Sequence, residues 1–149
     1  MKNLSSAMRT LSFGTLAMLA LAGCATTKAA GPSPLYDRLG GKPAITAVVD
    51  GFVGKVAADK RINGYFWNAD VPNLKLMLFE QICAASGGPC RYSGKDMKTA
   101  HAGMNIKDAE FTALVEDLIG AMNDLHVGKT EQKELLTTLG GLKGEVVGQ

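Results

Sequence analysis

The sequence predicts an all-α protein. Three stripes of apolar residues recur at helical spacing, and a fourth helix is bounded by its own start and stop signals. No stretch alternates apolar and polar residues over a strand's length.

Residues 1–23 read as a leader. Lys2 and Arg9 make a positive start, Leu11 to Ala20 is apolar, and Leu21-Ala22-Gly23-Cys24 closes it. The apolar run is well short of the ~20 residues that cross a bilayer. Leu-Ala-Gly-Cys resembles a bacterial lipoprotein signal, in which the cysteine becomes the acylated first residue. By that resemblance Cys24 carries lipid and contacts the membrane. Ala25 after it, in place of Asp, points to the outer membrane, facing the periplasm. Residues 24–34 then form a lipidated cysteine and a small, polar, proline-containing tether, leaving residues 35–149 as one domain.

Removing the leader changes the charge balance. The chain has 16 basic and 14 acidic residues, and Lys2 and Arg9 leave with the leader, so the remainder is balanced. That excludes the broad basic surface a nucleic-acid partner would need.

Ile45, Val48, Val49, Phe52, Val53 and Val56 make the first stripe. The next helix starts near Pro72 with Asp70 as its cap and stops at Gly87-Gly88-Pro89. Val71, Leu74, Leu78, Gln81, Ile82 and Ala85 share one face of it, and Leu76, Phe79 and Cys83 lie roughly opposite. An apolar helix on two sides is sandwiched, either between protein layers alone or between protein and a flat apolar cofactor. Cys83 and Cys90 flank Ser86-Gly87-Gly88-Pro89, a turn able to bring them together as a disulfide in an oxidising compartment, with two free thiols as the alternative.

Asp96 to Met104 forms a short predicted helix between glycines, and it contains His101, one of two histidines. Histidine there is a candidate metal ligand. Phe111, Leu114, Val115, Leu118, Ile119, Met122 and Leu125 make the second stripe. His126 ends that helix and reads as a helix-end cation. Thr130 and Glu131 open a last helix whose stripe is Leu135, Leu136, Leu139, Leu142 and Val146.

As a set these residues resemble the group 1 truncated haemoglobins. The resemblance is carried by Leu35-Tyr36-Asp37-Arg38-Leu39-Gly40-Gly41, Ala44-Ile45 through Phe52, Tyr65-Phe66, Gly87-Gly88-Pro89, Tyr92-Ser93-Gly94, Met97 to His101, and Ile106 through Phe111. It implies a two-over-two helical sandwich around haem b, with His101 as the proximal iron ligand. It also implies that Phe66 packs on the porphyrin, that Met97, Ile106, Phe111 and Val115 wall the pocket, and that Lys98 reaches a propionate or stays solvated.

The departures from the family pattern fall on the distal side. The family commonly places a tyrosine where this chain has Val53, and glutamine at one or both of the positions held by Leu74 and Leu78. Tyr65 and Gln81 are the nearest polar residues to compensate. Met77 is read as packing, with a thioether sixth ligand as the alternative. Each missing donor to a polarised ligand costs ~1.5–3 kcal/mol. The expected function is reversible binding of a diatomic gas (oxygen, CO or NO) for oxygen transport or scavenging or for NO handling. Oxidation of NO is a possible secondary chemistry, and a reductase is an implied partner. The alternatives are a haem redox or peroxidase-like envelope enzyme, which needs a distal acid–base group, and a haem-free structural lipoprotein.

Overall fold

The computed structural model describes residues 32–149. The leader, Cys24 and most of the tether lie outside the described residues. Six α-helices follow: α1 (Leu35–Arg38), α2 (Gly41–Ala58), α3 (Val71–Ala85), α4 (Met97–His101), α5 (Asp108–Asp124) and α6 (Lys129–Gly140). Short 3-10 turns occur at Asn63–Phe66 and Lys143–Glu145, and there is no strand among the described residues.

The four long helices form two crossed pairs. α2 lies against α5 and α3, and α6 lies against α3 and α5. The α2–α5 crossing is the most extensive, and small residues allow it: a Cβ on Gly51 would stand 3.6 Å from the Ala121 Cβ. Ile45, Val48, Val49, Phe52 and Val56 of the first stripe are buried, and they meet Ala113, Leu118, Ala121 and Met122 of α5 and Leu135 of α6 in one core. The stripes thus mark the faces that leave water, the main driving force for assembling the helices.

Caps and turns set the helix ends. Asp70 accepts a hydrogen bond from the Asn73 backbone N–H at 3.1 Å, with Pro72 in the first turn of α3. The Gly40-Gly41 turn joins α1 to α2 with φ of 95° and 65°, a left-handed geometry costly for other residues. At Gly88 the demand is for space. A Cβ would fall 2.7 Å from Cys83 Sγ and collide with the Tyr36 ring. The Gly-Gly-Pro signature therefore reflects close backbone approach as well as a helix stop.

Three expectations are corrected. The third stripe does not lie on one helix: α6 ends at Gly140, and Leu142 and Val146 flank the following 3-10 turn on either side. Their spacing still turns both inward, which is why they mimic a helix. Leu76, expected on a second buried face of α3, is 50% exposed, and Val71 is 44% exposed. Ala85, expected on the inner face, is exposed as well, so α3 is enclosed in its middle turns, through Leu78, Phe79, Ile82 and Cys83. Leu125 lies one residue beyond the end of α5 and is exposed.

Candidate functional site

A cavity of about 650 Å³ opens between the helix pairs. Interiors close-pack and leave few voids larger than a water molecule. A void of this size in a chain with one core is a place for a ligand, and its volume suits a small-molecule or cofactor site.

Its lining is mostly apolar. Phe52, Val53 and Val56 come from α2, and Leu74, Met77, Leu78, Gln81 and Ile82 from α3. Tyr65 and Phe66 come from the first 3-10 turn. Met97, Ala100 and His101 come from α4, followed by Met104 and Ile106, and α5 adds Phe111, Leu114, Val115 and Leu118. Leu136, Leu139, Leu142 and Val146 complete the wall. Leu142 and Val146 thus line the ligand space from outside any α-helix.

His101 is the histidine of the cavity wall, and its imidazole offers a nitrogen to a metal. It sits at the last position of α4 and is half-buried. Its Nδ1–H donates to the Met97 carbonyl at 2.7 Å. This bond places the ring proton on Nδ1 and leaves Nε2 as a lone-pair donor, the arrangement that orients an imidazole for a metal. α4 is started by Asp96, whose side chain accepts from the Thr99 N–H at 2.9 Å. That bond, from the Thr99 backbone, holds the Asp96 carboxyl below its ordinary range.

Several polar groups around the cavity are already engaged. The Gln81 amide nitrogen donates to Met97 Sδ at 3.1 Å. Asp70 and Glu110 line the cavity but serve as caps, on the Asn73 and Lys107 N–H groups respectively. Tyr92 donates its hydroxyl to the Lys95 carbonyl at 2.8 Å. Tyr65 stands at the mouth, 37% exposed.

For Lys98 the sequence leaves two readings, a propionate contact or a solvated side chain. It is exposed and stands outside the cavity wall, whereas Lys95 lines it beside Tyr92, Ser93 and Gly94. Lys95 precedes α4, so no helical period places its side chain. Gly94 fits between Met77 and Tyr92: a Cβ there would lie 2.9 Å from Met77 Sδ. Cys83 and Cys90 are joined by a disulfide at the end of α3, with Cys83 fully buried and away from the cavity.

Among the described residues no group of three or more His, Cys, Asp or Glu side chains could hold a bare metal ion. One imidazole in a large apolar slot instead fits an iron whose remaining protein-independent ligands would come from a flat organic ring. The residues present therefore fit haem b.

The comparisons agree with that fit. The family model described as a bacterial-like globin matches residues 34–147. A group 1 truncated haemoglobin of Tetrahymena pyriformis is 36% identical over 96 residues, covering 64% of this chain and 79% of that one. One from Mycolicibacterium paratuberculosis is 33% identical over 115 residues, covering 77% and 85%. Among solved structures, the truncated haemoglobin from T. pyriformis in its Fe(III) form superposes with a TM-score of 0.76 at 31% identity, over 78% of this chain and 100% of that one. The 2/2 haemoglobin from Synechococcus, in the cyanomet state with covalently attached haem, gives 0.73 at 31% identity over the same shares.

Proposed function

The chain belongs to the bacterial-like globin family, and within it to the group 1 truncated haemoglobins, and from that premise we propose that it is a lipid-anchored haem protein, ligated by His101, that favours weakly polar diatomic ligands over O₂. As a truncated haemoglobin it carries haem and binds diatomic gases. The observation that carries the proposal is the pairing of an Nε2 lone pair on His101 with an apolar cavity wall.

Haem supplies an iron that takes a diatomic ligand on the face its histidine leaves open. The chain does the rest. Met97 orients the imidazole through its carbonyl. Phe66, Ile106, Phe111 and Val115 line the cavity and would enclose the ring and exclude water. Val53, Leu74 and Leu78 shape the space on the α2–α3 side.

That last group decides selectivity. Solved variants of the T. pyriformis protein replace a tyrosine and two glutamines. The interval from that tyrosine to the first glutamine, and from the first glutamine to the second, equals the interval from Val53 to Leu74 and from Leu74 to Leu78. Each of the three positions therefore offers hydrocarbon in place of a donor. O₂ is polarised when held and needs donors, whereas CO needs little help. NO handling is compatible with this pocket, while NO oxidation, which requires long retention of O₂, is disfavoured.

Leu-Ala-Gly-Cys24 after an apolar leader supports the lipid anchor and an outer-membrane, periplasm-facing location, with an unidentified reductase returning the iron to its ferrous state. Haem titration tests the core of the proposal. One haem per chain should give a Soret band that shifts with CO. Absence of haem uptake would overturn it.

A further inference from the structure

The segment that carries His101 has little secondary structure to hold it. Between the end of α3 at Ala85 and the start of α4 at Met97 there is no regular element, and α4 spans five residues. A helix of that length does not persist alone. It must be held from outside, and α3 provides three tethers. Cys83 is bonded to Cys90. Glu80 Oε2 accepts from the Ser93 backbone N–H at 2.9 Å and from the Ser93 hydroxyl at 2.7 Å. Gln81 donates to Met97 Sδ, and the Met97 carbonyl accepts from His101. The tethered residues advance along the chain from Cys90 through Ser93 to Met97, and end on the histidine. The disulfide is the covalent member, and it stands first.

From this chain of contacts we infer that the Cys83–Cys90 disulfide is a positioning element for His101, and that a dithiol which opens it slackens the proximal side of the haem pocket. Closed, the bond fixes the start of the irregular segment, so Ser93 meets Glu80 and Met97 meets Gln81 in register. Opened, the segment regains conformational freedom that the cross-link removed. Cys90 is half-buried and Cys83 fully buried, so a thiolate of the dithiol attacks the Cys90 sulfur. A mixed disulfide forms and Cys83 leaves as a thiolate that takes up a proton. The second thiol of the dithiol then closes its own ring disulfide and releases Cys90. Two electrons and two protons pass from the dithiol to the protein. The inference rests on His101 as the iron ligand.

The test uses the haem-loaded protein with and without dithiothreitol, beside a Cys83→Ser/Cys90→Ser double variant. Alkylation and mass measurement report whether the bond is open. Opening should speed amide exchange across residues 86–101 by about tenfold and shift or broaden the ferrous iron–histidine stretching band in resonance Raman spectra. The double variant should show the opened-state values whether or not dithiothreitol is present. Glu80→Gln, with the disulfide intact, should move the band the same way by less. An opened bond with unchanged exchange and an unchanged band would overturn the inference, and dithiol-treated wild type gives that answer even if the double variant fails to fold. A wild-type protein with no iron–histidine band would overturn the ligand assignment, a result separate from the former.

Discussion

Replacing Leu74 by glutamine should slow the release of O₂ while leaving CO almost unaffected. Leu74 is half-buried on α3 and lines the cavity one turn before Leu78. The two side chains are similar in length, so the exchange adds a donor with little overpacking. A hydrogen bond to a partly charged acceptor contributes ~1.5–3 kcal/mol. At 1.4 kcal/mol per factor of ten, O₂ dissociation should fall by about 10- to 100-fold. The change belongs in dissociation because ligand entry meets the same apolar mouth. CO, with little charge to satisfy, should change by less than about threefold, well under one hydrogen bond. Flash photolysis and stopped-flow displacement, run for both gases on wild type and variant, measure this directly. Equal slowing of both gases would show a steric barrier and refute the electrostatic reasoning. So would a wild-type protein that already retains O₂ firmly. In that case Gln81, released from Met97, or Tyr65 at the mouth would be the donor, and Gln81→Leu would identify which.

Other perturbations test separate parts of the account. Val53→Tyr should act in the same direction as Leu74→Gln, offset by an overpacking cost of ~1–3 kcal/mol visible in thermal unfolding. Gly88→Ala should lower unfolding stability by about 1–3 kcal/mol, since its Cβ meets Tyr36 and the Cys83 sulfur; an unchanged midpoint would argue against that close approach. The Asp96 carboxyl is depressed by the Thr99 hydrogen bond, so its contribution is complete above the ordinary value of 3.8 and is lost as pH falls through the lower folded value. Asp96→Asn keeps a cap acceptor without the titration, and haem loss on acidification should then depend less steeply on pH in that range. Cys24→Ser should move the protein from the membrane fraction to the soluble fraction, and unchanged fractionation would refute lipid anchoring there.

Much of the fold was legible because burial imposes a period. The faces of α2 and α5 could be read directly, and Asp70 with Pro72 marked the start of α3. His101 was legible as a ligand candidate from its place between glycines on a short helix. What escaped was set by contacts distant in sequence. Nothing local says that the apolar stripe after Gly140 continues on either side of a 3-10 turn, because Leu142 and Val146 keep helical spacing while the backbone changes. Lys95 was not singled out because it precedes α4, where no helical period places a side chain. The pairings of Glu80 with Ser93 and Gln81 with Met97 join residues 13 and 16 positions apart across an irregular segment, and no periodicity encodes them. Leu76 was read as buried because α3 looks apolar all round, yet its cover is concentrated between Leu78 and Cys83 and both ends are exposed.

The central claim is that one imidazole, His101, holds the haem iron. Optical spectra of the ferric, ferrous and CO-bound protein, for wild type and His101→Ala side by side, test it most directly. The wild type should show a histidine-ligated haem with a free ligand face that takes CO. The variant should lose haem, or keep it with altered ferrous and CO bands. Identical spectra from the two proteins would contradict the claim.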